Sequence, residues 1–323
     1  MIQSNTEDGY LIEVPEIIKN YKCIRVIGFG STSIVVLVED KNTKKQYSAK
    51  IMARKDMEER KLMKSIEKET TVLKDLDCQY VVKVYDSFNI KNDKGEELIV
   101  IIMDYCENGD LLTYALDKKF KTIREKKATV LSFLKGVKFL HDHQISHGDI
   151  KADNILLTKD LTSKLCDFGY CRTSITAGDE SKNGTLYYAA PELFSPGEFN
   201  TLKTDIWAIG VTLYSVFELQ FPFRNGSQYF IMKQIKTGNL SIRSSIPDDL
   251  KNLLKKCLQV DPEERPTIDE IINDDFFNLD KKIDVKENDY LLIKESQNEL
   301  MKDNSQKSTL VSSSSSSRGI EFV

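Results

Sequence analysis

No stretch of this 323-residue chain approaches the roughly 20 apolar residues that would cross a bilayer. Its opening, MIQSNTEDGY, has neither the basic nor the apolar segment of a secretory leader, so a protein without a membrane span is expected. Paired cysteines are also lacking. Cys23, Cys78, Cys106, Cys166, Cys171 and Cys257 are scattered, and the one close pair, Cys166 and Cys171, does not have the two-residue spacing of a common zinc knuckle. Reduced thiols of the cytoplasm, or of the nucleus, are the expectation. There is no basic excess either: 46 Lys and Arg stand against 50 Asp and Glu, a net charge of −4. A protein built to neutralise nucleic-acid phosphates needs the opposite balance, so no nucleic-acid partner is expected. Nor is there an internal repeat.

What is present is 40% hydrophobic and 30% charged composition, enough for a substantial core across two domains or lobes. From Tyr21 to Lys50 the apolar residues alternate with others, and turn signals fall at GFGS and DKNTKK, a pattern of antiparallel strands. Between about Lys55 and Leu76 the spacing becomes helical, with Leu62, Ile66, Glu69, Val72, Leu73 and Leu76 on one face. VVKVYDSFNI and ELIVIIMDYC then read as two strands joined by KNDKGE. The sum is a small five-stranded antiparallel lobe with one main helix. After ENGD the chain turns mainly helical, in LLTYALDKKF, TIREKKATVLSFLKGVKFLHDH, TDIWAIGVTLYSVFELQ and DLKNLLKKCLQ, and INDDFFNL is the last segment with core-like residues. The expected fold class is α+β with two lobes. A polar tail ending in the serine run Ser312–Ser317 has too little apolar content to offset chain entropy and is expected to be disordered.

Several polar constellations carry chemistry. GFGSTSIVV lies between two strands, so its glycines make a hairpin whose backbone can approach a phosphate; read alone it is more often an ordinary glycine turn. Lys50, in the otherwise apolar or small YSAKIM, needs a partner such as Glu69 unless it reaches to solvent. Asp167 ends a short apolar strand in LCDFGY, and with Asn154 it offers the oxygen ligands that Mg²⁺ prefers. HGDIKADN, from His147 to Asn154, concentrates two carboxylates, a lysine and an asparagine between apolar runs.

In that order and spacing, GFGSTSIV, YSAK, the helical Glu69, HGDIKADN, DFG, AAPE and DIWAIG resemble the eukaryotic protein kinase superfamily. The resemblance covers about residues 21–279, split into an N-lobe of about 21–103 and a C-lobe of about 107–279, with an extension at 1–20 and the tail at 280–323. It implies a bilobal protein kinase fold and serine/threonine kinase activity with ATP and Mg²⁺ as cofactors. Asp149 would accept the substrate hydroxyl proton, Lys151 would steady the transferred phosphate, and Asn154 and Asp167 would hold the metal. Lys50, paired with Glu69, would grip the α and β phosphates under the loop of Gly28, Phe29, Gly30 and Ser31. Met103 would guard the back of the adenine pocket, with Asp104 to Cys106 bonding the base, Val35, Ser48 and Leu156 enclosing it, and Asp110 near the ribose. Leu73, Val84, His147 and Phe168 would stack when the enzyme is active, anchored by Asp205, and Glu192 and Arg265 would form a structural ion pair.

Two departures stand out. Thr32 and Ser33 replace the tip aromatic and third glycine of the loop, a change a small serine tolerates. Gly148 replaces the arginine that many protein kinases carry before the catalytic aspartate, which commonly meets an activation-segment phosphate. Activity independent of that phosphorylation is therefore expected, with Ser174, Thr176 and Ser181 as candidate phosphorylation sites or plain loop residues. Lys151 with Thr185 resembles the serine/threonine type. Asp110 and Asp153 favour a basic residue upstream of the target hydroxyl, a preference that Ser215 moderates. The hinge is similar to those of the NIMA-related and calcium/calmodulin-dependent groups without deciding between them. A binding scaffold of kinase fold is the rival reading, disfavoured because Lys50, Asp149 and Asp167 are all kept. A small-molecule kinase is disfavoured by AAPE, DIWAIG and Arg265. NDYLLIKESQNELM in the tail has spaced apolar residues that suit a helix on a regulatory partner or on the chain itself.

Overall fold

A computed structural model describes residues 2–173, 176–178, 185–223, 226–243 and 246–279. They form two compact units, the first ending at Glu107 and the second beginning at Asn108. Ser174, Ser181 and the tail segments expected to be disordered or partner-binding lie outside the described residues.

The first unit opens with an antiparallel hairpin of β1 (Ile2–Asn5) and β2 (Leu11–Val14). There follow β3 (Ile17–Ile18), β4 (Tyr21–Phe29), β5 (Ile34–Asp40) and β6 (Gln46–Ala53), the helices α1 (Arg54–Glu59) and α2 (Met63–Asp75), then β7 (Val84–Lys91) and β8 (Glu97–Met103). β3 to β8 make one antiparallel sheet in the order β3-β4-β5-β6-β8-β7. The strand count is thus six rather than the expected five, because two-residue β3 is too short to show alternation in the sequence. The expected single helix is two. Lys61 adopts a left-handed backbone at φ 58°, which ends the helical run between Glu59 and Met63. One face of the sheet buries Ile34, Val36, Val38, Ala49, Ile51, Val100 and Ile102 against Ile12 and Val14 of the hairpin and Ile18 of β3. Removal of this apolar surface from water is the main force ordering the unit.

The second unit contains α3 (Leu111–Leu116), α4 (Ile123–Asp142), β9 (Ile155–Leu157), β10 (Ser163–Leu165), β11 (Thr176–Ala177), β12 (Phe199–Asn200), α5 (Thr201–Glu218), α6 (Gln228–Thr237), α7 (Asp248–Cys257) and α8 (Ile268–Ile272). Side chains close the first turns of these helices: Thr122 accepts from the amide of Glu125, Asn200 from Leu202 and Lys203, and Thr267 forms a capping box with Glu270. α5 is buried along almost its whole length, including Trp207 and Tyr214, and so forms the centre of the unit. The antiparallel pair β9-β10 sets Ile155 opposite Leu165, which brings the segments around Asn154 and Asp167 side by side.

Candidate active site

In the first unit, the β4–β5 hairpin closes with the amide of Gly30 donating to Ser33 O at 2.8 Å. Ser33 is buried and keeps an ordinary backbone, so its Cβ costs nothing there. Gly28 and Phe29 end β4, Ser31 lies in the turn, and Phe29 is 56% exposed. Val35 on β5 pairs directly with Lys50 on β6. The Lys50 ammonium reaches both oxygens of Glu69 on α2, at 3.0 and 3.2 Å. Both side chains are largely buried, where an unpaired charge is costly and a paired one holds a single geometry.

Ser48, next-but-one before Lys50, pairs with Met103 across the sheet and donates its hydroxyl to Asp104 O at 2.6 Å. The Asp104 carboxylate is occupied in turn, accepting from the Tyr85 hydroxyl at 2.8 Å and the Lys83 amide at 3.1 Å. Burial and the Asp104 carboxylate push the Tyr85 hydroxyl pKa up, so it stays a donor. Met103 and Asp104 are therefore held from both β6 and β7. Nothing local in the sequence marks Tyr85 for that task.

The second unit gathers Asp110, Asp149, Lys151, Asn154, Leu156 and Asp167. Asp110 caps α3, accepting from the Thr113 amide at 2.7 Å, and bridges to Leu156 on β9. Asp149 is buried, and each of its carboxylate oxygens is engaged. Oδ1 accepts from the Thr185 hydroxyl at 3.0 Å; Oδ2 accepts from Asn154 Nδ2 at 2.9 Å and lies 2.8 Å from Lys151 Nζ. Lys151 also donates to Thr185 Oγ1 at 3.0 Å, which closes a triangle of acid, base and hydroxyl. Burial works against the charge on Lys151, but Asp149, with Asp167 and Asp153 behind it, outweighs that and raises the pKa above the ordinary lysine value. Asp153 goes the other way from most carboxylates. Burial, helped by Asp110 and Asp149 and opposed by Lys151, pushes it up to about 6.

Asp205 of α5 is what fixes this loop. Its carboxylate is 1% exposed and accepts from the amides of His147 at 2.8 Å and Gly148 at 3.0 Å, while His141 Nε2 lies 3.1 Å away. His141 sits on the buried, apolar face of α4 and looks in the sequence like any core residue. His147 is wholly buried, with Nε2 3.0 Å from Cys166 O and Nδ1 accepting from the Asp149 amide at 3.3 Å, and its ring packs on Phe168 at 4.8 Å. Both nitrogens are used by the backbone, which makes it a core residue and not a metal ligand. Among the described residues no group of three or more His, Cys, Asp and Glu forms a metal cluster.

Asn154 spends its amide donor on Asp149 O and Oδ2 and so keeps its oxygen as an acceptor. Together with the carboxylate of Asp167, at left-handed φ 62°, this is a hard oxygen donor set that fits Mg²⁺. Farther off, Arg265 is fully buried and grips Glu192 through two parallel hydrogen bonds of 2.7 Å, while donating to the carbonyls of Lys203, Gln259 and Val260.

The protein kinase domain family matches residues 21–277, most of the chain. The chain belongs to that family. Among its curated relatives, a carbon catabolite-derepressing protein kinase of Secale cereale is 30% identical over 270 residues, 82% of this chain and 53% of that protein. The serine/threonine-protein kinase PKH2 of Candida albicans is 29% identical over 298 residues, 88% of this chain and 30% of the relative. The 3-phosphoinositide-dependent protein kinase B of Dictyostelium discoideum is 31% identical over 266 residues, 80% of this chain and 28% of the relative. The chain thus spans about half or less of the length of these relatives. No helix among its described residues is long and apolar enough to cross a membrane.

Within the kinase domain, Gly148 has a structural reason to be glycine. Its φ is +80°, and a Cβ built there would lie 2.5 Å from Tyr170 O. An arginine at this position requires the backbone to move, which would disturb the bond from its amide to Asp205. None of the six cysteines is in a disulfide, and burial pushes Cys23 up to about 11 and Cys257 up to about 12, far from thiolate reactivity.

Proposed function

We propose that this chain is an active serine/threonine protein kinase, transferring the γ-phosphate of ATP to Ser/Thr hydroxyls of protein substrates. The observation that carries the reading is the closed network of Asp149, Lys151, Thr185 and Asn154, in which both oxygens of the buried Asp149 carboxylate are engaged. Such a carboxylate is held in one orientation, ready to take the proton of an incoming hydroxyl as its oxygen attacks phosphorus. Lys151 supplies fixed positive charge where charge spreads over the phosphate oxygens. Lys50, already paired with Glu69, is the counterpart for the α and β phosphates, with Gly28, Phe29, Gly30 and Ser31 covering them. Asp104 and Cys106 are the backbone contacts for adenine, Met103 its rear wall, Val35, Ser48 and Leu156 its faces, and Asp110 the ribose contact. Asn154 and Asp167 would hold Mg²⁺, which when bound neutralises phosphate charge.

The absent guanidinium at Gly148 supports activity without activation-segment phosphorylation. The kinase domain proper is about 21–279 in this reading, its compartment the cytoplasm or nucleus, and the tail a place for a regulatory partner. The test is Mg²⁺-dependent transfer to a generic serine/threonine substrate by phosphatase-treated enzyme, beside Asp149→Asn and Thr176→Ala. Transfer lost in Asp149→Asn by on the order of 10²–10⁴-fold and kept in Thr176→Ala is expected. No transfer by the intact chain, with ATP still raising its Tm, would favour a binding scaffold of kinase fold.

A further inference from the structure

The hairpin β1–β2 precedes the segment that matches the kinase family, yet it is built into the first unit. Ile12 and Val14 are buried in the sheet core, and Glu13, 3% exposed, bonds Gln3 at 2.7 Å and Lys94 of the β7–β8 turn at 2.8 Å. Its own turn, Thr6 to Tyr10, is ordered by three bonds between Thr6, Gly9 and Tyr10, and Gly9 takes the left-handed conformation at φ +84° that such a turn needs.

That turn touches two other places. The amide of Glu7 donates to Gly30 O at 2.9 Å, at the tip of the glycine-rich hairpin. The carboxylate of Asp8 accepts from Arg60 Nη1 at 2.6 Å. Arg60 caps α1, and its Nε also donates to Asp56, a carboxylate only 6% exposed whose second oxygen has no hydrogen-bond partner among the described residues. Directly after Arg60 come the left-handed Lys61 and then α2, the helix that carries Glu69 to Lys50. One five-residue turn is therefore bonded both to the glycine-rich loop and to the joint on which α2 hangs.

We propose that the turn Thr6–Tyr10 couples the glycine-rich loop to the α1–α2 joint, with Asp8 and Arg60 as positioning residues for nucleotide binding. The proposal rests on the kinase reading, and it has a readout that does not. In the full chain, Asp8→Asn keeps the shape and removes the charge that holds Arg60. It should raise the KM for ATP on the order of three- to tenfold with kcat within about twofold, because binding geometry and not proton transfer is disturbed. Amide hydrogen exchange should quicken in residues 28–33 and in 63–75, neither of which contains the substitution, and Asp8→Glu should restore both. Glu13→Gln, on the same hairpin but facing Lys94, should lower Tm and leave the KM for ATP unchanged. Faster exchange confined to residues 2–14 in Asp8→Asn, with an unaltered KM, would overturn the coupling. Should the wild-type chain transfer no phosphate, the kinase reading fails, and the exchange pattern alone decides whether the coupling exists.

Discussion

Replacing Gly148 with alanine adds one methyl group at a position where the backbone has φ +80° and where that methyl would sit 2.5 Å from Tyr170 O and 3.3 Å from Tyr170 Cβ. An L-residue in the left-handed region costs about 1–2 kcal/mol. The contact is with backbone, so it cannot be relieved by a side-chain rotation; either the 146–149 loop or the segment at Tyr170 must shift. A shift of the loop stretches the bond from the Gly148 amide to the Asp205 carboxylate, a charged acceptor buried to 1% exposure, worth about 1.5–3 kcal/mol. The sum is about 3–5 kcal/mol, or a Tm lowered by roughly 6–20 °C for a domain of this size. Differential scanning fluorimetry of Gly148→Ala and Gly148→Arg, with phosphate transfer measured below the lower Tm, reads the effect. Both variants should lose stability, and arginine should not confer a need for activation-segment phosphorylation while the loop is displaced. A Gly148→Ala protein melting within about 2 °C of wild type would refute the argument from backbone strain.

Two further outcomes follow from the second unit. Arg265→Ala strands Glu192, 14% exposed, without its two hydrogen bonds, and should cost about 3–5 kcal/mol in urea unfolding; lysine should rescue little because it cannot bond both oxygens. Asp153, pushed up to about 6, holds its proton more tightly folded than unfolded. Its contribution to stability is full below the unfolded value near 4 and is lost as pH rises from there through 6. Asp153→Asn should therefore raise stability by about 1–3 kcal/mol at pH 7.5, with a smaller gain at pH 5; a gain independent of pH would be the contrary result.

Much of the arrangement was legible in the chain itself. Alternating apolar residues marked the strands β4 to β8, and the move to three- and four-residue spacing marked α2 and put Glu69 on its inner face, opposite a lysine that needed a partner. The order of GFGS, YSAK, HGDIKADN and DFG then carried the resemblance, since each stretch holds side chains that act within a few residues of one another. What was not legible depends on partners far away in sequence. The resemblance named Asp205 as an anchor, but only the fold shows what it holds, the amides of His147 and Gly148, 58 and 57 residues earlier. Tyr85 and Asp104, and Thr185 with Asp149, are likewise joined only by the chain's return.

The hairpin and the glycine make the division plain. Periodicity and motif order, which are local, determined the lobes, the fold class and the set of chemical groups. That IQSNTEDGY would fold back as a strand and turn on Gly30 and Arg60 was decided only in three dimensions, because its polar residues have no period and its anchors, Ile12 and Val14, are meaningful only against the face of the sheet. Gly148 was legible as a missing arginine. Why no other residue fits there was decided by the carbonyl of Tyr170, a contact that no spacing rule contains.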